Sequence, residues 1–280
     1  ACRRRGAPPM LKDITLGQYM PGNTVVHRLD PRTKIALTTA YIVMIFLVTS
    51  PAWYVVPTLY VALAARLAGL SLRQLLKSVK PLRVLLILTF VLNLFFSGGS
   101  TIWLRWGVVT VTREGVLLAV HFCMRLVFLV VGTSVLTLTT SPVALSDGIE
   151  MLLKPLRVFH FPAHELAMMM TIALRFIPTL IEETDKIMKA QQARGADFET
   201  GNLLARAKAM VPLLVPLFVS AFRRAGELAM AMEARCYHGG EGRTRLRVLR
   251  MTREDGLAFL LTAAALAVII AGQALLPSGF

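Results

Sequence analysis

Two arginines at the ends of amphipathic stretches are the residues of this chain best suited to specific recognition chemistry. Gln192-Ala193-Arg194-Gly195 and Glu233-Ala234-Arg235-Cys236 each finish with a small residue, an arginine and a break, and the two arginines lie 41 residues apart. A guanidinium offers a planar fork of donors that fits a carboxylate in bidentate fashion, and an adjacent alanine permits close approach. The same placement suits the negative end of a helix dipole, which favours a cation with no partner at all. Ala-Arg also occurs at Ala65-Arg66 and Ala205-Arg206. Periodicity alone leaves both readings open.

Other reactive residue types lead less far. His164-Glu165-Leu166-Ala167-Met168 starts like a zinc-protease helix but has methionine where H-E-x-x-H needs its second histidine. His160 and His164 read as loop and helix-start residues. Gly239-Gly240-Glu241-Gly242 lacks the lysine that reaches a phosphate, and there is no G-x-x-x-x-G-K-[ST] segment, so ATP hydrolysis belongs elsewhere. Cys2, Cys123 and Cys236 form no C-x-x-C pair, which argues against a zinc site or a disulfide framework. Inside an apolar stretch, His121 and Arg125 are a thin basis for the rival function, a membrane enzyme or channel working alone. Arg125 is expected to face other helices or a wet surface of an incompletely closed bundle, and Met168-Met169-Met170 to fill core space.

The elements that must position the two arginines are membrane elements. Hydrophobic residues make up 55% of the 280 and charged residues only 17%, at a mean hydropathy of +0.62, so a soluble enzyme is excluded and a multi-pass chain is implied. The few charges are biased, 31 Lys plus Arg against 16 Asp plus Glu, for a net +15. Residues 1–34 are polar, include Arg3, Arg4 and Arg5, and read as a cytoplasmic segment without the apolar core of a secretory signal. Residues 35–140 are expected to hold four transmembrane helices. Ile35 to Ala65 carries no charge and divides near Ser50-Pro51-Ala52-Trp53-Tyr54 into two short spans. Val84 to Leu104 reads as a third span with an aromatic belt at Trp103 and Trp106, and Val116 to about Thr140 as the fourth. Between the second and third, Arg73, Lys77 and Lys80 with no acidic residue place the loop in the cytoplasm. Basic stretches such as Arg243 to Arg253 then serve topology and anionic lipid rather than nucleic acid.

From Ser141 to Asp255 the apolar residues recur every three or four positions with charges between them, so residues 141–255 read as a domain of amphipathic helices. One helix starts near Pro162 and runs through Pro178 to Arg194-Gly195. Its early part is at membrane level and its later part, Glu182-Glu183-Thr184-Asp185-Lys186, is wet. A second runs from about Leu203 to Arg235, and Pro212 and Pro216 are expected to bend or break it. Residues 256–280 form a fifth span that leaves the C-terminus outside.

Several blocks in order carry a family resemblance over nearly the whole chain. They are Gly17-Gln18-Tyr19-Met20-Pro21-Gly22-Asn23, His27-Arg28-Leu29-Asp30-Pro31-Arg32-Thr33-Lys34, Leu136-Thr137-Leu138-Thr139-Thr140-Ser141-Pro142 and His164-Glu165-Leu166-Ala167. Leu174-Arg175-Phe176-Ile177-Pro178-Thr179-Leu180, Lys186 through Gly195, Ala231 through Tyr237, and Gly239 through Thr244 complete the set. The chain resembles the transmembrane T component of energy-coupling factor transporters, and more closely the shared-module type than the dedicated one.

That resemblance implies an all-α integral membrane protein of about five transmembrane helices plus a cytoplasmic coupling domain, in a bacterial cell membrane. It also implies a non-catalytic scaffold that passes ATP-driven motion of two ABC-type ATPase subunits (EcfA and EcfA') to a membrane S component for vitamin uptake. Ala193, Arg194, Gly195, Ala234, Arg235 and Cys236 would bind the ATPases. No cofactor or metal would be bound by this chain, ATP and Mg being held by the ATPases. One residue departs from the family pattern: Cys236 stands where the second Ala-Arg-Gly motif has its glycine. If that position needs positive φ, the side chain costs on the order of 1 kcal/mol, or the helix ends a little later, toward Gly239.

Overall fold

The computed structural model of the chain describes residues 19–96, 102–106, 109–155, 162–196, 198, 203–239, 249 and 251–275. The chain forms two compact units, one built from Gly17–Gly148 with Val248–Phe280 and the other on Ile149–Arg247. The Gly17 and Gln18 end of the first family block, most of Gly239 through Thr244, and His160 lie outside the described residues.

In the first unit a short α1 (Val25–Arg28) precedes α2 (Pro31–Leu47). Asp30 caps α2 by accepting the Arg32 N–H at 2.9 Å, and Pro31 occupies the first turn, where its missing N–H leaves no bond unmade. A 3-10 turn at Pro51–Tyr54 runs directly into α3 (Val55–Leu67), so the expected division at Ser50 to Tyr54 is present. The basic loop is itself partly helical: α4 (Leu72–Val79) starts where Ser71 N–H donates to Gln74 Oε1 at 2.9 Å. After α5 (Arg83–Phe96) come β1 (Ile102–Trp106), β2 (Val109–Thr112) and α6 (Arg113–Thr139).

The expected third span is therefore shorter than 84–104. Ile102–Trp106 pairs antiparallel with Val109–Thr112, with Trp106 opposite Val109. This segment is rich in tryptophan, valine and threonine, side chains that fit a pleated ladder better than a helix, and the helical aromatic belt gives way to a hairpin. Thr112 then caps α6, accepting the Gly115 N–H at 3.2 Å. By length and apolarity α6, α8 from His164 to Ala193, and α10 from Arg253 to Ala274 can cross a bilayer.

The core gathers Tyr41, Met44, Ile45, Val48, Tyr54, Val61 and Ile269 from α2, α3, the 3-10 turn and α10 (Arg253–Leu275), against Phe128 and Leu129 of α6. Tyr41 stacks on Tyr60 at 5.7 Å and donates its hydroxyl to the Phe128 carbonyl at 3.0 Å. Small residues allow this approach. A Cβ on Gly132 would stand 1.9 Å from the Tyr41 ring, and one on Gly272 1.9 Å from the Trp53 ring.

One end of the unit is tied by buried polar groups. Asp255 accepts the Asp30 N–H at 3.0 Å, the Thr252 N–H at 2.7 Å and the Thr252 hydroxyl at 2.9 Å. Lys34 donates to the His27 and Thr139 carbonyls, both at 3.1 Å. These bonds join the starts of α2 and α10 to the last carbonyl of α6, which no intrahelical donor reaches.

Of the two placements open to Arg125, the structure shows it facing another helix. Its guanidinium donates to the Val48 carbonyl at 3.0 Å, just past the end of α2, and lies 2.9 Å from His121 Nε2. The Phe46 and Phe122 rings flank it at 5.5 and 5.6 Å. A cation at a helix C-terminus, between two ring faces, is stabilised by the dipole and both quadrupoles.

Gly132→Ala should drive a methyl group into the Tyr41 ring and destabilise the bundle by about 1–3 kcal/mol. Gly256→Ala, at an exposed helical position where the methyl meets nothing within 4 Å, should cost no stability and add up to about 1 kcal/mol. Thermal unfolding of the two variants in detergent checks the contrast.

Candidate functional site

The second unit carries α8 (Ala163–Ala193) and α9 (Leu203–Glu233), each 31 residues long. Pro162 stands immediately before α8 and Glu165 lies in its first turn, where the helix dipole favours a carboxylate. Both helices remain unbroken through Pro178, Pro212 and Pro216. The expected break in the second helix is thus absent; the flanking turns keep the ladder going where each proline withholds a donor.

The two Ala-Arg ends are built alike. At the end of α8, Gly195 N–H donates to the Gln192 carbonyl at 3.0 Å and Ala196 N–H to the Gln191 carbonyl at 3.0 Å. At the end of α9, Cys236 N–H donates to the Glu233 carbonyl at 2.8 Å and Tyr237 N–H to the Met232 carbonyl at 3.1 Å. Each is a Schellman motif, a paired closure of the last helical carbonyls that requires a left-handed residue just after the cap. Gly195 supplies it with φ +91° and Cys236 with φ +53°. In both motifs arginine occupies the cap, the last position before the chain reverses. The side chain at Cys236 has not moved the helix end toward Gly239; the motif forms at the position where the family pattern has glycine.

Ala193, Arg194, Gly195, Ala234, Arg235 and Cys236 are all exposed. Among the described residues neither guanidinium has an acidic partner. A donor fork held at a fixed helix end, unpaired and in solvent, is ready to take a carboxylate from another surface.

Other residues in this unit have different roles. His164 is paired with Glu150 of α7 (Pro142–Leu153), Nδ1 to Oε1 at 3.0 Å, so it fastens the start of α8 rather than standing as a helix-start residue alone. Met169 and Met170 are 54% and 53% exposed, which removes them from core filling.

Sequence reasoning missed the contact between α8 and α9. Glu183 accepts the Ser220 hydroxyl at Oε1, and at Oε2 it accepts Arg224 Nε at 3.1 Å and Nη2 at 2.9 Å. Read from the sequence, Glu183 belonged to a solvated run. The available signal was Ser220 and Arg224 four residues apart on α9, beyond a stretch otherwise apolar from Met210 to Val219.

Comparison with known proteins agrees on one family. Residues 22–246 match the family CbiQ, described as cobalt transport protein. The chain is 58% identical over 252 residues to the energy-coupling factor transporter transmembrane protein EcfT of Thermosediminibacter oceani, covering 90% of this chain and 95% of that one. It is 57% identical to the EcfT of Acidaminococcus fermentans, over 90% and 93% of the two chains. The EcfT of Bacillus subtilis is 46% identical, over 88% and 93%.

Replacing Cys236 by glycine should relieve the left-handed strain and stabilise the second helix end by about 1 kcal/mol, whereas Gly195→Ala should weaken the first by a similar amount. Amide hydrogen exchange at residues 195–196 and 236–237 reports each end separately.

Proposed function

Because the chain belongs to the EcfT family of energy-coupling factor transporter transmembrane proteins, within CbiQ, we propose that Arg194 and Arg235 are the points at which it engages two ABC-type ATPase subunits. Family membership makes it the non-catalytic transmembrane component of such a transporter. The observation that carries the docking reading is the equivalence of the two helix ends: each presents an exposed, unpaired arginine from a rigid Schellman cap.

ATP binding draws the ATPases together, and the seated arginines follow them. The long helices behind those tips change angle, and the S component packed on their apolar faces tilts. Only contacts that differ between the two ATPase states can drive that change. Supporting a partner on α9 are Val215, Phe218 and Phe222, exposed by 64%, 61% and 74%. Apolar side chains in such a row on one long helix mark an interaction surface.

In this reading the N-terminus and the domain at 141–255 are cytoplasmic, the C-terminus is extracellular, and the spans lie at 35–140 and 256–280. ATP and Mg stay with the ATPases. The transporter is of the shared-module type, in which one scaffold serves interchangeable S components for different vitamins. The residue blocks quoted above support that choice.

Arg194→Ala or Arg235→Ala should each weaken ATPase binding by roughly 2–5 kcal/mol, as expected for truncating one partner of a buried charge pair. The double variant should lose both ATPase co-purification and vitamin uptake. Retention of both by that variant would remove the docking assignment.

A further inference from the structure

We infer that Glu183 and Arg224 form the pivot about which the two arginine-tipped arms turn, an assignment that rests on Arg194 and Arg235 being the docking points. Three observations on α8 and α9 carry it.

The first is concentration. Among the described residues every polar contact between the two helices passes through one carboxylate, that of Glu183, which both Ser220 and Arg224 engage. Ser220 and Arg224 are one turn apart, so they present a single face of α9 to it. Bonds gathered at one point oppose sliding of one helix along the other, while opposing a change of angle much less. The pair is also partly solvated, the side chains of Arg224 and Glu183 being 39% and 21% exposed. Bonds in that setting can re-form as the angle changes without opening a packed core.

The second is spacing. Eleven residues separate Glu183 from Arg194, and eleven separate Arg224 from Arg235. Eleven residues are three helical turns, about 16 Å of rise, and return to within about 20° of the starting face. Measured from the ion pair, each tip therefore lies the same distance beyond the contact and on the same side of its own helix as the charged group that makes it. Ser220, one turn earlier on α9, braces the pair from the far side of the contact. Two arms of equal length carry equal displacements of their tips as rotation about the contact. Unequal arms would convert part of that motion into sliding.

The third is where the weak points fall. Pro178, Pro212 and Pro216 all precede the contact, and residues 184–194 and 225–235 contain no proline, Gly226 being the one residue there that favours the helix less and yet keeps its backbone donor. The segments between contact and tip have complete backbone ladders; those on the other side, where the apolar faces lie, have gaps. Motion entering at the tips thus meets no missing backbone hydrogen bond before it reaches the pivot.

In physical terms Glu183 and Arg224 are positioning residues for coupling and do not themselves touch the ATPases. The test uses the complete transporter in proteoliposomes, with Glu183→Arg, Arg224→Glu, the double exchange and Glu183→Gln, and reads vitamin taken up per ATP hydrolysed alongside ATPase co-purification. Either single reversal should lower that ratio about tenfold or more with the ATPases still bound, and the exchange should restore it to within about threefold of the parent. Glu183→Gln keeps an acceptor for Ser220 and should give an intermediate ratio at parental expression. An unchanged ratio in the single reversals, or an exchange no better than either, would overturn the pivot. The docking assignment fails by a different result, ATPases retained by Arg194→Ala/Arg235→Ala, so the two are told apart.

Discussion

A lysine buried among carbonyl oxygens and an aspartate buried among amides hold one end of the membrane bundle. Where no water reaches, each backbone group left over at a helix end needs a partner inside the protein. Lys34 takes the last carbonyl of α6 and the carbonyl of His27, while Asp255 takes the amide of Asp30 and two donors of Thr252. Three helices far apart in the chain are fixed by these two side chains. The close packing that follows, Gly132 under Tyr41 and Gly272 under Trp53, depends on that register being right.

Much of the helical outline was legible because its signals are local. Pro162 and Glu165 mark the start of α8 and Gly195 its end; the stretch from Leu203 reads as helical, but Pro212 and Pro216 suggest a bend or break where α9 is continuous. The hairpin at Ile102–Trp106 and Val109–Thr112 was not, because a window of hydropathy counts tryptophan and valine as span residues whatever their backbone. Nor was α4, only two turns long: Leu72, Leu75, Leu76 and Val79 recur at helical spacing, but the segment reads as a basic loop when the charge of Arg73 and Lys77 alone is weighed.

The arginine ends were legible as motifs but not as geometry. Gly195 announces a left-handed residue, whereas Cys236 does not, and only the hydrogen bonds of Tyr237 and Cys236 establish that the second end closes in the same way. The Glu183 contact was the least visible. Its partners lie 37 and 41 residues away, and choosing Glu183 over Glu182 or Asp185 requires the rotational setting of one helix against another.

The row of uncovered aliphatic and aromatic side chains along α9, with Phe222 74% exposed, bears on how the subunit survives before assembly. On the reading that companions cover that flank, a newly made copy without them would display it and become a substrate for cellular quality control. Its abundance should then track that of its companions, and a pulse-chase with and without them would reveal whether surplus copies are degraded.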